Sequence, residues 1–238
     1  MQDNHPLDLF FREKGEGSPL VILHGLWGAS ENWLPVANRL SDRFRVVLPD
    51  LRNHGRSPHA DDMTLETLAE EIREFIKTRS FPVPPALVGH SLGGKIAMIL
   101  RLTTPALLSK LIVVDIAPGA YPPSPLDEHA RLLTLMERLD LAPLATRSAL
   151  RIALAAHIPS EEDQQLVLKN IRESTRGYEW KVNLSAIRAH LDALRDFPRH
   201  LPPAPPGDDI LFIKGNRSGY IPGPASLLPY FPAARLVQ

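Results

Sequence analysis

The chain has 238 residues, enough for one α/β domain with a sizeable core and some inserted structure. Lysine plus arginine and aspartate plus glutamate each number 27, so the formal net charge is zero, which argues against nucleic acid or an anionic membrane as partner. The absence of cysteine excludes disulfides, thiolate metal sites and a cysteine nucleophile, and no apolar run approaches the length of a transmembrane helix.

Met1 to Pro6 has no basic region leading into an apolar run, so no signal peptide is expected and the composition fits a cytoplasmic protein. Residues 7–13 alternate loosely and predict a first strand. Residues 20–23 and 45–49 are continuous apolar runs, the pattern of strands buried on both faces. Between them Trp33, Val36, Ala37 and Leu40 recur at helical spacing, which predicts a helix over 30–40 capped by Ser30. Thr64 is expected to cap a second helix, in which Leu65, Leu68, Ala69, Ile72, Phe75 and Ile76 make one apolar stripe. Residues 81–85, rich in proline, break it. Residues 86–88 read as a strand, 95–100 as part of a helix that stops before Pro105, and 110–115 as a further buried strand.

After Asp115 the texture changes. From about 126 to 195 the pattern is helical, with apolar groups such as Leu132, Leu133, Leu135, Met136 and Leu139, and no convincing strand. Proline-rich connectors at 121–125 and 202–207 bound this block. Residues 210–214 read as a strand and 224–231 as a short helix. A last strand begins at 234. Such alternation predicts the α/β class: a mostly parallel sheet with helices on both faces and a ligand site at the carboxyl ends of the strands. Because no strand signal interrupts it, the helical block reads as an inserted cap, the alternative being ordinary sheet-flanking helices, giving a core at 1–118, a cap at 119–200 and the rest of the core at 201–238.

His24, Asp50, Ser91 and Asp115 all fall just past the end of an expected strand, on one edge of the sheet. Gly89-His90-Ser91-Leu92-Gly93 is Gly-x-Ser-x-Gly between a strand and a helix, the sequence form of a nucleophile elbow. A strained serine turn brings the chain so close to itself that side chains two residues either side would clash, and glycine removes them. The helix starting after Ser91 offers free N–H groups and a positive dipole end to a developing oxyanion. By itself the motif is also compatible with a glycine-rich turn and an incidental serine.

The strings His24-Gly25-Leu26-Trp27-Gly28, Asp50-Leu51-Arg52-Asn53-His54-Gly55-Arg56-Ser57, Gly89-His90-Ser91-Leu92-Gly93-Gly94-Lys95, Val114-Asp115-Ile116-Ala117-Pro118, Trp180-Lys181-Val182-Asn183-Leu184 and Gly215-Asn216-Arg217-Ser218-Gly219-Tyr220-Ile221 resemble the α/β-hydrolase superfamily. Within it they are similar to the small bacterial esterases of the YbfF type and the abhydrolase-domain 11 proteins. The resemblance implies a serine carboxylesterase for small acyl esters, with Ser91 as nucleophile. It implies an oxyanion hole of the Leu26 and Leu92 backbone N–H groups, supported by His24, Gly25, Gly89, His90 and Gly93. Asp115, one βαβ step from Ser91, is implied as the triad acid by its likeness to the position used by YbfF-type enzymes; the loop 215–219, where many relatives carry the acid, holds no carboxylate. The other reading of Asp115 is a loop anchor. Asp50 and Arg52 are expected to satisfy their own loop and pair internally. Trp27, Tyr121 and Trp180 are candidate pocket residues. No metal and no cofactor are expected.

In the family the triad histidine follows the last strand. Here the last histidine is His200, and the sequence stops at Gln238 inside the expected last strand. The expectation is that the base lies beyond residue 238, so that this polypeptide is impaired. The alternatives are a non-catalytic binding protein on a hydrolase scaffold, or a thioesterase or C–C bond hydrolase. The oligomeric state is open.

Overall fold

In a computed structural model, which describes residues 7–119, 123–175, 177–205 and 209–238 without the side chains of 123–127, nine strands form. They are β1 (Phe11–Lys14), β2 (Ser18–Leu23), β3 (Phe44–Pro49), β4 (Ala86–His90), β5 (Lys110–Val114), β6 (Ile171–Ser174), β7 (Gly177–Trp180), β8 (Ile210–Ile213) and β9 (Arg235–Val237). Seven make one sheet in the order β1-β3-β2-β4-β5-β8-β9. Its pairs are parallel except β1 with β3. The helices are α1 (Leu34–Leu40), α2 (Leu65–Thr78), α3 (Leu92–Thr103), α4 (Pro123–Arg138), α5 (Arg147–His157), α6 (Glu161–Lys169) and α7 (Leu184–His190). None among the described residues is long and apolar enough to cross a membrane.

The two-residue period of the strands sorts the core into two layers. Val21 and Leu23 of β2 pack with Leu68 and Ile72 of α2 and Ile96 and Leu100 of α3. Leu20 and Ile22 face the other way, with Ala37 of α1 and Val46 and Leu48 of β3. Each fully buried Leu or Ile contributes roughly 1.5–3 kcal/mol. Helix α2 forms as its pattern predicts: the Thr64 hydroxyl accepts from the Thr67 amide, and the apolar stripe is buried. The parallel strands carry their carboxyl ends, and thus His24, Asp50, Ser91 and Asp115, to one edge.

Four expectations change. The first strand begins at Phe11, not residue 7, because side chains take over before it: Leu7 N–H donates to Glu71 and Phe10 N–H to the Ser57 hydroxyl. The helix expected over 30–40 opens with a 3₁₀ turn, Ser30–Trp33. Pro35 has no N–H to give to Glu31, so the α ladder cannot run through. Ala29 is the cap, with Asn32 accepting its N–H, while Ser30 accepts from Arg12 and gives its own N–H to Asp50. The block expected to lack strands contains the antiparallel hairpin β6–β7, where Gly177 turns at φ 113°. Its strands of four residues are too short for the alternation of Tyr178 and Trp180 to stand out. Finally, 224–231 is a 3₁₀ turn, Pro224–Ser226, followed by turns closed on Leu227 O by the Tyr230 and Phe231 amides, and not a continuous helix.

Candidate active site

Ser91 sits between β4 and α3 at φ 50°, in the region L-residues avoid. Close backbone approach makes the turn possible. A methyl group on Gly89 would lie 2.2 Å from the Gly93 carbonyl oxygen, and one on Gly93 would lie 2.6 Å from that of His24. Ser91 N–H donates to Val114 O at 3.1 Å, tying the elbow to β5. The serine is half-buried, and its hydroxyl makes no hydrogen bond to a described residue.

The turn 25–28 lies against it. A methyl on Gly25 would be 3.0 Å from both Ser91 Cβ and His90 Nδ1, and Gly28 N–H closes the turn onto Gly25 O at 3.0 Å. His24 fixes this turn from below. Its Nε2 accepts the Leu51 amide at 2.9 Å, so the proton is on Nδ1, which donates to Gly25 O at 2.8 Å. Burial pushes His24 down to about 4, so the ring is neutral. His54 stacks near it at 5.2 Å between ring centroids, donates from Nδ1 to Arg52 O, and is pushed by burial down to about 3. His90 is lowered by burial, against the pull of Asp115, and its ring edge meets Trp33. The amides of Leu26 and Leu92 are not engaged by any described residue.

Asp115 follows β5 at φ 59°. Its N–H donates to Ile213 O at 2.8 Å, and its Oδ1 accepts the Gly215 amide at 3.0 Å. The carboxylate thus reaches across to the loop after β8. Tyr220, in that loop, is pushed up to about 12 by burial, then by the carboxylates of Glu128 and Asp115.

The expectation that Asp50 and Arg52 pair internally is corrected. Asp50 accepts amides of Ser30 and Arg56, and buried Arg52 reaches out to buried Glu71 of α2 at 2.9 Å. Of the pocket candidates, Tyr121 lies outside the described residues. Trp27 is buried within the 25–28 turn, with φ 65°, and its indole N–H donates to His129 Nδ1 of α4 at 3.1 Å. Trp180 is in β7, half-buried, bordering a surface cavity of about 580 Å³ whose lining includes none of Ser91, Leu26 or Asp115.

Sequence reasoning assigned no role to several residues that join this edge to the helical block. Asn170 donates to Trp27 O, and Asn183 N–H donates to Asn53 O, each at 3.0 Å. Tyr220 and His129 approach at 3.5 Å, and burial lowers His129 to about 4. Lys95 is wholly buried, and burial lowers it to about 7. Its signal was present: one charge opening an otherwise apolar helical run. The partners of the asparagines are distant in sequence and left no local trace.

A strained serine at a strand–helix turn, on a parallel sheet whose strand ends carry a buried histidine and a carboxylate, is the arrangement of an α/β-hydrolase. The sequence profile of the alpha/beta hydrolase family matches residues 20–235, and the chain belongs to that family. It is 34% identical over 211 residues to the sn-1-specific diacylglycerol lipase ABHD11 of Xenopus laevis, covering 86% of this chain and 66% of that protein. It is 27% identical over 223 residues to the esterase YbfF of Escherichia coli (strain K12), covering 92% and 82%. A solved structure of a marine microorganism esterase superposes with a TM-score of 0.90 at 39% identity, over 97% of this chain and 90% of that one. The chain spans about two thirds of the length of the ABHD11 relatives it matches.

Proposed function

We propose that the chain carries the acyl-transfer site of a serine esterase acting on small acyl esters. One observation carries this reading: Ser91 is held at φ 50° with the Gly25 turn against it and two unengaged amides, Leu26 and Leu92, beside it. In this reading Ser91 Oγ attacks the ester carbonyl. The two amides receive the oxyanion, an arrangement in which a single donor is worth about 10²–10³ in rate. The alcohol leaves, and water releases the acyl group from Ser91. Asp115 is the acid that would orient the base, and residues of the 119–200 block, as a cap, would bound the acyl group. The names of the esterase and lipase relatives support ester substrates.

The base is the open part of the constellation. A serine hydroxyl needs one within hydrogen-bond reach. Among the described residues none bonds Ser91 Oγ: His24 and His54 donate to backbone carbonyls, His129 accepts from Trp27, and His90 packs on Trp33. We therefore expect the 238-residue polypeptide to be a slow esterase. Loss of the base from a Ser-His-Asp triad costs about six orders of magnitude in a well-studied protease. That same observation favours a second reading, a binding protein on the hydrolase scaffold. The test is covalent labelling by a fluorophosphonate and turnover of p-nitrophenyl butyrate, each compared with Ser91→Ala. Slow acylation that vanishes in Ser91→Ala supports the esterase. Equal rates in both proteins overturn it and leave the binding protein.

A further inference from the structure

Lys95 is used neither by the acyl-transfer reading nor by apolar packing. It lies in α3 one turn beyond Ser91, whose carbonyl accepts the Lys95 amide at 3.1 Å, and its side chain is fully buried. The run that follows, Ile96 to Leu100, is apolar. A buried ammonium carries a penalty of several kcal/mol unless hydrogen bonds compensate. A methionine would fill the space without it.

The compensation is specific. Among the described residues Nζ donates to four main-chain carbonyls: Gly119 at 3.1 Å, Leu194 at 3.2 Å, Arg195 at 2.6 Å and Asp196 at 2.8 Å. An ammonium has three protons, so the four oxygens share them. The oxygens come from both ends of the helical block. Gly119 closes the segment that leaves β5 past Asp115. Residues 194–196 end the 3₁₀ turn Ala193–Arg195, whose last carbonyls have no donor within the turn.

We propose that Lys95 is a positioning residue: its ammonium is a built-in cation that closes this carbonyl cage and fixes both ends of the helical block to the helix that carries Ser91. The block then meets the acyl site as one piece with the elbow. Only the kinetic consequence rests on the reading of Ser91 as nucleophile; the cage does not.

Two variants of the whole chain test it at pH 6, below the value of about 7 to which burial lowers Lys95, so that the ammonium is charged. Lys95→Met keeps the stem and removes the cation. Hydrogen exchange of amides 115–119 and 193–196 is expected to rise about tenfold or more, with β4 unchanged. Lys95→Ala leaves a hollow lined by carbonyls. Potassium or methylammonium chloride is expected to raise its Tm and slow the same exchange in a saturable way, with tetramethylammonium chloride, too large to enter, as control at equal ionic strength. Packing of the lysine stem alone predicts no such rescue. In whatever hydrolysis depends on Ser91, Lys95→Met is expected to raise KM for p-nitrophenyl butyrate several-fold with kcat within about twofold.

Unchanged exchange in Lys95→Met overturns the clamp, and so does a Lys95→Ala protein indifferent to cations. Should Lys95→Met not fold, the cation arm alone decides. A KM that does not move while exchange does overturns the link to the acyl site. Failure of Ser91 labelling in the unaltered chain overturns the esterase reading and leaves the exchange and cation arms standing.

Discussion

Around Ser91, position is set by backbone meeting backbone. Gly89 and Gly93 are in contact range, the Gly25 turn lies on the serine, and β4 and α3 pack on both sides. The block between β5 and β8 shares the main apolar cluster of the core through residues such as Leu132, Leu150 and Ile187, and single polar side chains add further ties to the core. Asn170 holds Trp27 O, Asn183 holds Asn53 and Ala60, and Lys181 pairs with Glu31 at 2.7 Å. The difference teaches where tolerance lies. The elbow accepts almost no added atom. The block can lose one anchor and keep its helices.

Acid tests both regions at once, through His24 and His54 beneath the 25–28 turn and His129 of the block, and this is the largest effect expected. His24, His54 and His129 are neutral in the folded chain, lowered by burial to about 4, 3 and 4. Below their ordinary value of 6.5 the unfolded chain takes up protons that the folded chain refuses. Stability is therefore full above that value and is lost as pH falls toward 4, on the order of 1 kcal/mol per pH unit for each ring. Urea unfolding at pH 7, 6 and 5 checks this, and His54→Phe should flatten the slope.

Next comes Gly89→Ala, whose methyl group would meet the Gly93 backbone. It should cost about 3 kcal/mol or prevent folding, read as the urea midpoint. Asn183→Ala removes the cap of α7 and two bonds to the core, and should cost about 2 kcal/mol. If the comparison holds, hydrogen exchange will show that loss in α7 while the sheet stays protected. The smallest change should be a gain. Ser91→Gly relieves the positive φ and should stabilise the chain by about 1 kcal/mol while abolishing fluorophosphonate labelling.

What could be read from the sequence follows the same division. Helix α2, the buried runs of β2 and β3 and the elbow are local patterns: a cap, a stripe, a β-branched run, glycines at fixed spacing. Ser91, the 24–28 turn and Asp115 at one sheet edge followed from the parallel alternation. The hairpin β6–β7 did not, because its strands are four residues each and Glu173 interrupts the apolar face that Ile171, Tyr178 and Trp180 share. Nor did the pairing of Arg52 with Glu71, or the reach of Lys95 to Gly119 and 194–196. Those contacts join residues that only the folded chain brings together.

The neighbouring position of β5 and β8 bears on how the chain assembles. Asp115 and Gly215 are bonded across that pair but stand 100 residues apart in sequence. Closing a flexible loop of that length costs about 4 kcal/mol in chain entropy beyond a constant. If the intervening helices fold first and bring their two ends together, the span left to close shrinks to about twenty residues and the entropic cost falls by roughly 1 kcal/mol. β8 then joins a sheet edge already presented to it, and the order of assembly, block before strand, becomes a kinetic property of an insertion whose ends meet.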